Sequence, residues 1–164
     1  MAMANRVRSL EWLGLSAAIT VLDLATKHLV QSALAHGEHI PVTPFFDIVL
    51  FYNQGAAFSF LAGAGGWQRV FFSLFALIAS LFIIRLLYKQ PERTLFCLAL
   101  SLVLGGALGN LYDRLTLGYV VDFLYFHYRG YAWPAFNVAD SAIVCGVGLL
   151  LWDGYRRAPE DAAG

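Results

Sequence analysis

Charge is what this sequence lacks. Only 13% of its 164 residues are Asp, Glu, Lys or Arg, while 59% are hydrophobic. A soluble domain carries about 25% charged residues, so about half of the usual solvating charge is missing. A mean hydropathy of +0.63 points the same way, and a soluble globular domain is excluded. Net charge is zero and no basic block is present, which argues against a nucleic-acid partner. There are only two cysteines, Cys97 and Cys145, each inside an apolar run. They read as small buried hydrophobes and not as a disulfide or a metal pair. No His-Glu-x-x-His and no Gly-x-Ser-x-Gly occurs, and the four histidines (His28, His36, His39, His127) are scattered. This removes the zinc-protease and serine-elbow chemistries, and no cofactor or metal is expected.

What is present is four apolar segments of bilayer-spanning length. We place helices at about 12–35, 67–88, 94–113 and 137–156, in a single membrane-embedded domain covering 1–164. A cleavable signal peptide is the competing reading of the first segment, because Ala33-Leu34-Ala35 resembles a cleavage site. The uninterrupted apolar part ends at about residue 22, far upstream of it, and the run continues through Asp23 and Lys27. These two residues are four apart, share a helix face and are read as a structural ion pair. Two long loops remain, 36–66 and 114–136. Pro41 and Pro44 break helix in the first. Residues 45–51, 119–127 and 131–133 are β-prone and are expected to form a small sheet at the membrane surface. Glycines near residues 63–66 suggest a mobile apolar flap over about 55–66. Seven of the eleven basic residues (Arg6, Arg8, Arg85, Lys89, Arg93, Arg156, Arg157) fall on one side of the four-helix arrangement. The positive-inside bias makes that side cytoplasmic, with both termini inside and both long loops outside.

The polar residues of interest converge on the loop side. They are Asn53-Gln54-Gly55, Asn110 with Asp113 and Arg114, Asp122, and Asn137 with Asp140. Asn137 and Asp140 have a purely structural explanation, since Asn is a favourable helix N-cap and an acid three residues on completes a capping box. Asp122, between Val121 and Phe123, has no such explanation unless Arg114 or Arg129 pairs with it. Two neighbouring carboxyls in a low-dielectric site can share one proton. One then takes a proton from water while the other donates to a carbonyl oxygen, which hydrolyses an amide without metal or covalent intermediate. The dipole at a helix start favours charge on Asp140, leaving Asp122 to hold the proton.

At these residues the chain resembles the bacterial lipoprotein signal peptidases, signal peptidase II. The segments that carry the resemblance are Asp23-Leu-Ala-Thr-Lys27, Tyr52-Asn-Gln-Gly-Ala-Ala-Phe58, Gly105-Gly-Ala-Leu-Gly-Asn-Leu-Tyr-Asp-Arg114, Val120-Val-Asp-Phe123 and Phe136-Asn-Val-Ala-Asp-Ser141. The resemblance implies a four-helix inner-membrane aspartic endopeptidase with a small β-cradle and a mobile outer segment. It implies cleavage of diacylglyceryl-modified prolipoproteins just before the lipidated cysteine, with Asp122 and Asp140 as the catalytic dyad. It marks Asn53, Gly55, Asn110, Asp113, Arg114 and Asn137 as supporting or substrate-binding residues. Arg114 and Asn53 are expected to bond substrate backbone or orient Asp122, and Asn110 and Asn137 to fix the two carboxyls. The implied partners are prolipoprotein substrates, membrane lipid and cyclic peptide antibiotics acting as inhibitors, with the enzyme a monomer. A small polytopic transporter and a structural membrane subunit are the alternatives. Transport of a solute by the reconstituted protein without proteolysis marks the first, and mild effects of charge removal at Asp122 mark the second.

Overall fold

The computed structural model describes residues 2–55 and 67–161, so most of the expected flap, 56–66, lies outside the described residues. Four helices, α1 (Ala2–Ala33), α2 (Trp67–Lys89), α3 (Thr94–Thr116) and α4 (Val138–Asp161), are joined by four short strands. These are β1 (His39–Thr43), β2 (Phe46–Asn53), β3 (Val120–Tyr128) and β4 (Tyr131–Ala132). All four helices are long and apolar enough to cross a bilayer. The outward surfaces are apolar in a way water would not tolerate: Phe75 and Ile78 of α2 are each 65% exposed and Val144 of α4 is 72% exposed. Such continuous apolar cover is the mark of a lipid-facing bundle.

Helix α3 is central and packs on the other three. Its glycines make this possible. Gly105 and Gly109 face α1, where an added Cβ would meet Ile19 at 2.7 Å and the Asp23 carboxylate at 2.5 Å. Gly106 faces α4 and lies directly against the Ala139 carbonyl oxygen. Small residues at such spacing allow backbones to approach closely where no hydrophobic effect drives association. Hydroxyls add cross-links: Thr20 Oγ1 donates to the Gly105 carbonyl at 3.0 Å and Ser101 Oγ to the Trp12 carbonyl at 3.1 Å. At the far end from the sheet, Arg8 pairs with Glu92 at 2.6 Å and Arg93 with Asp153 at 2.5 Å. These tie the start of α1 to the α2–α3 turn, and that turn to the end of α4.

Three differences from the sequence reading have physical causes. Helix α1 starts at Ala2, ten residues before the expected boundary at 12. The expectation took the basic segment as the helix limit, but nothing before Gly14 breaks a helix, and its Ala, Met, Arg, Leu and Glu residues are good helix formers. Strand β1 lies within the segment 36–66 that the sequence presents as a loop. It is the edge strand of a sheet ordered β1-β2-β3-β4, and proline is tolerated at an edge, where its missing N–H costs no ladder bond. Cys145 is exposed on α4, whereas Cys97 is buried as expected.

The sheet is antiparallel throughout. One irregularity in it decides the site. Ile48 pairs with Leu124 and Phe51 with Asp122, so three steps on β2 match two on β3. This is a bulge with one extra residue. Paired residues share a face of a sheet and neighbours along a strand alternate. Without the extra residue, Asn53 would point away from the Asp122 face.

Candidate active site

The site forms where α1, α3 and the start of α4 meet the sheet. Past β4 the chain lies back along β3: Phe136 and Leu124 exchange backbone hydrogen bonds of 3.1 and 2.8 Å. This sets Asn137 beside Asp122. Asn137 then begins α4 as its cap. Its Oδ1 accepts from the Asp140 N–H at 2.9 Å, and its own N–H donates to Asp140 Oδ2 at 3.3 Å. The capping box is therefore formed. It fixes one oxygen of Asp140 and leaves the other for the site, so capping and site chemistry are compatible in the same residue.

The two acids are joined by a pair of amides. Asn137 Nδ2 donates to Asp122 Oδ1 at 2.8 Å and reaches Asn110 Oδ1 at 3.2 Å, while Asn110 Nδ2 donates to Asp140 Oδ1 at 2.8 Å. Asn53, delivered by the bulge, donates from Nδ2 to Asp122 Oδ2 at 3.0 Å. Its Oδ1 accepts the Gly55 N–H at 3.0 Å, an Asx turn that fixes the amide's direction. Asp122 is 3% exposed. Burial first, and then the Asp140 carboxyl, pushes the Asp122 carboxyl up from 3.8 to about 7; the Asn53 and Asn137 hydrogen bonds and the charge on Lys27 pull the other way.

Beneath the acids lies a buried ion cluster. Lys27 pairs with Asp23 at 2.7 Å and with Asp113 at 2.9 Å, and donates to Asn110 Oδ1 at 3.0 Å. Asp113 accepts the Val121 N–H at 3.1 Å, and Asn137 Nδ2 reaches the Val121 carbonyl at 3.1 Å. The backbone just before Asp122 is thus held from both sides. Asp23 also accepts the Ala139 N–H at 2.8 Å, capping α4 from α1. The sequence reading gave Lys27 one partner on its own helix; the second, Asp113, and the amide Asn110 come from α3.

Arg114 has no hydrogen bond to Asp122. It donates to the carbonyl of Gly55 at 3.2 Å and to that of Asn110 at 3.3 Å, so it grips the last described residue before 56–66. Arg129 stands over the Tyr128 ring. Sequence reasoning missed two features. Arg69 of α2 caps the end of α3, donating to the carbonyls of Arg114 at 2.7 Å and Leu115 at 3.0 Å. Asp47 sits between two of the scattered histidines, with His127 Nε2 at 3.1 Å and His39 Nδ1 at 3.3 Å. Those rings, His127 foremost, hold its carboxyl below the usual carboxylate range. The signal for this cluster was strand alternation on three adjacent strands, which becomes readable only once β1 is recognised.

A cavity of about 430 Å³ opens on the site, lined by Asn53, Asn110, Arg114 and Asp140 on one side and by Trp133, Phe136, Ile143 and Val144 among others. A second of about 350 Å³ holds Asp122. Among the described residues no cluster of His, Cys, Asp and Glu is suited to a metal.

Fold and site together define a class: a four-helix membrane protein with a buried acid, Asp122, and a half-buried one, Asp140, at one end, each lining one of two adjoining cavities. The comparisons narrow it. The model of the family described as signal peptidase II matches residues 15–156. The chain is 57% identical over 146 residues to a lipoprotein signal peptidase of Ralstonia nicotianae, covering 89% of this chain and 84% of the relative. It is 53% identical over 150 residues to that of an Azoarcus strain, covering 92% and 85%. A solved bacterial membrane enzyme, determined by the in meso method at 2.3 Å resolution, superimposes with a TM-score of 0.81 at 30% identity, covering 90% of this chain and 88% of that one. The chain belongs to the signal peptidase II family, which is a family of aspartic endopeptidases.

Proposed function

We propose that this protein removes the signal peptide from diacylglyceryl-modified prolipoproteins by cutting just before the lipidated cysteine, with Asp122 and Asp140 as a proton-sharing pair. The observation that carries the reading is the amide relay Asp122–Asn137–Asn110–Asp140, which holds both carboxyls at one cavity system. Asp140, whose place in the first turn of α4 favours its charged form, takes a proton from water as the water oxygen attacks the scissile carbonyl carbon. Asp122 gives its proton to the carbonyl oxygen, forming a gem-diol. Asp140 then passes its proton to the amide nitrogen and the C–N bond breaks. Asp122 recovers a proton from the diol, leaving a carboxylic acid, a free amine and the original pair. Arg114 donates to the Gly55 carbonyl and does not orient Asp122 directly; Asn53 and Asn137 do that.

The substrate is an apolar helix bearing two acyl chains, and it enters laterally from lipid. The enzyme works as a monomer with its sheet at the outer face of the inner membrane and both termini in the cytoplasm. Cyclic peptide antibiotics that block this family are expected to occupy the larger cavity.

The test is cleavage of a diacylglyceryl-modified prolipoprotein by purified protein in detergent, beside Asp122→Asn and Asp140→Asn. The expected result is cleavage before the lipidated cysteine by wild type and at least a ~10³-fold loss in each variant at unchanged melting temperature, the size of loss typical when a group of the reacting constellation is removed. Near-full activity in either folded variant would overturn the two-acid mechanism.

A further inference from the structure

The two acids line adjoining cavities. Asp140 lines the larger cavity, whose far wall is Trp133, Phe136, Ile143 and Val144, and Val144 is itself largely exposed on the bundle surface. Asp122 lines the smaller cavity with His36, Phe51, Tyr52 and Tyr125. Asn53, Pro134 and Ala135 line both. A peptide bond reacting between the acids therefore crosses this shared wall, with one flank of the substrate in each cavity. The flanks differ in chemistry. A signal peptide is apolar before the cut, whereas the mature chain after it is polar, and its backbone N–H and C=O groups need partners. The larger cavity matches the first flank. The smaller cavity, lined by two tyrosines and a histidine, matches the second.

We propose that the mature polypeptide leaves the scissile bond through the smaller cavity, where His36, Tyr52 and Tyr125 contact its second and third residues. This rests on the peptidase reading above. The acyl chains branch from the cysteine side chain and run to the bilayer, so they do not compete for this space. The wall is pre-organised. His36 lies against Tyr52 at 4.7 Å between centroids, the two rings tilted by 31°. Tyr125 is boxed by Phe51 at 6.0 Å, His39 at 5.7 Å and His127 at 5.6 Å. Asp47 holds both of those histidines. The His39–Asp47–His127 cluster thereby acquires a purpose outside the reaction itself, which is to keep Tyr125 in place.

The experiment uses the full chain in detergent and synthetic diacylglyceryl-modified prolipopeptides carrying a photoreactive benzoylphenylalanine. In one peptide the probe is third after the cut; in the other it is third before it. Irradiation with folded Asp140→Asn protein, followed by mass spectrometry, locates the adducts, and cleavage of probe-free peptide by wild type checks the peptidase reading separately. Adducts of the first peptide on residues 36, 51–52 or 125, and of the second on 133–145, are expected. Adducts exchanged between the two sets, or absent from 36, 51–52 and 125, would overturn the assignment while leaving the peptidase reading intact. Kinetics give a second readout. Tyr125→Ala should raise KM about tenfold for a substrate with an aromatic third residue and less for one with glycine there, about the size of a lost aromatic contact. An equal rise for both substrates would also overturn it.

Discussion

Asparagine is the residue on which this site depends. Asn53, Asn110 and Asn137 each turn an oxygen to a fixed donor and an amide to a carboxyl. Because hydrogen bonds from Asn53 favour the charged form of Asp122, and burial outweighs them, the sign of two effects is fixed. The folded protein binds a proton at Asp122 that the unfolded chain, near 3.8, releases earlier. Stability from this group is fully present below about 4 and is lost as pH rises through about 7. The melting temperature of wild type should fall over that window, and that of Asp122→Asn should fall less. In activity, the proton on Asp122 is lost on the alkaline side, so turnover should decline near pH 7. Asn53→Ala, which removes a bond to the charged form, should move that decline to higher pH; a pH–rate profile decides it, reporting apparent values of the pair. Lys27 sets another residue-scale outcome. It is 2% exposed between two buried acids. Lys27→Met leaves them without a cation and should cost about 3–5 kcal/mol in denaturant unfolding in detergent, far more than Asp122→Asn.

At the scale of elements, the close seating of α3 against its neighbours matters most. Gly106 lies against the Ala139 carbonyl, one residue before Asp140, whereas Gly148 on the same α4 has nothing within 4 Å of an added Cβ. Gly106→Ala should push α4 away, destabilise by about 1–3 kcal/mol and lower turnover by displacing Asp140. Gly148→Ala should leave both unchanged. Melting temperature and kcat measured on the two variants test this directly. The small-residue spacing at 105 and 109 was readable in the sequence as a close-approach signal. That 106 served a second helix was not, because spacing gives a face and not its partner. The bulge between Ile48 and Phe51 was equally hidden: no residue type marks it, and only the register against β3 shows it.

For the whole molecule, the arrangement of charge predicts orientation. The sheet and the acid pair sit at one end of the bundle, and the Arg8–Glu92 and Arg93–Asp153 pairs sit at the other. With Cys97 and Cys145 replaced, a membrane-impermeant maleimide applied to cells or outer-membrane-permeabilised cells should label Gly130→Cys, in the turn between β3 and β4. Arg157→Cys should react only after the inner membrane is opened. The reverse pattern would place the site on the cytoplasmic side.

The sequence by itself determined the four spans, three of the four strands and the convergence of the polar residues on one end. It could do so because apolar run length, turn chemistry and capping are local properties of the chain. It also carried the ordered motifs that mark the family. Tertiary structure alone decided what each polar group touches. Lys27 has partners on two helices, Arg114 grips Gly55 and not Asp122, Asn53 reaches Asp122 through an extra residue in β2, and the two acids line adjoining cavities. Each of these contacts joins residues distant in the chain, so helix packing and strand register set them, and one residue of slip in the register turns a side chain to the opposite face.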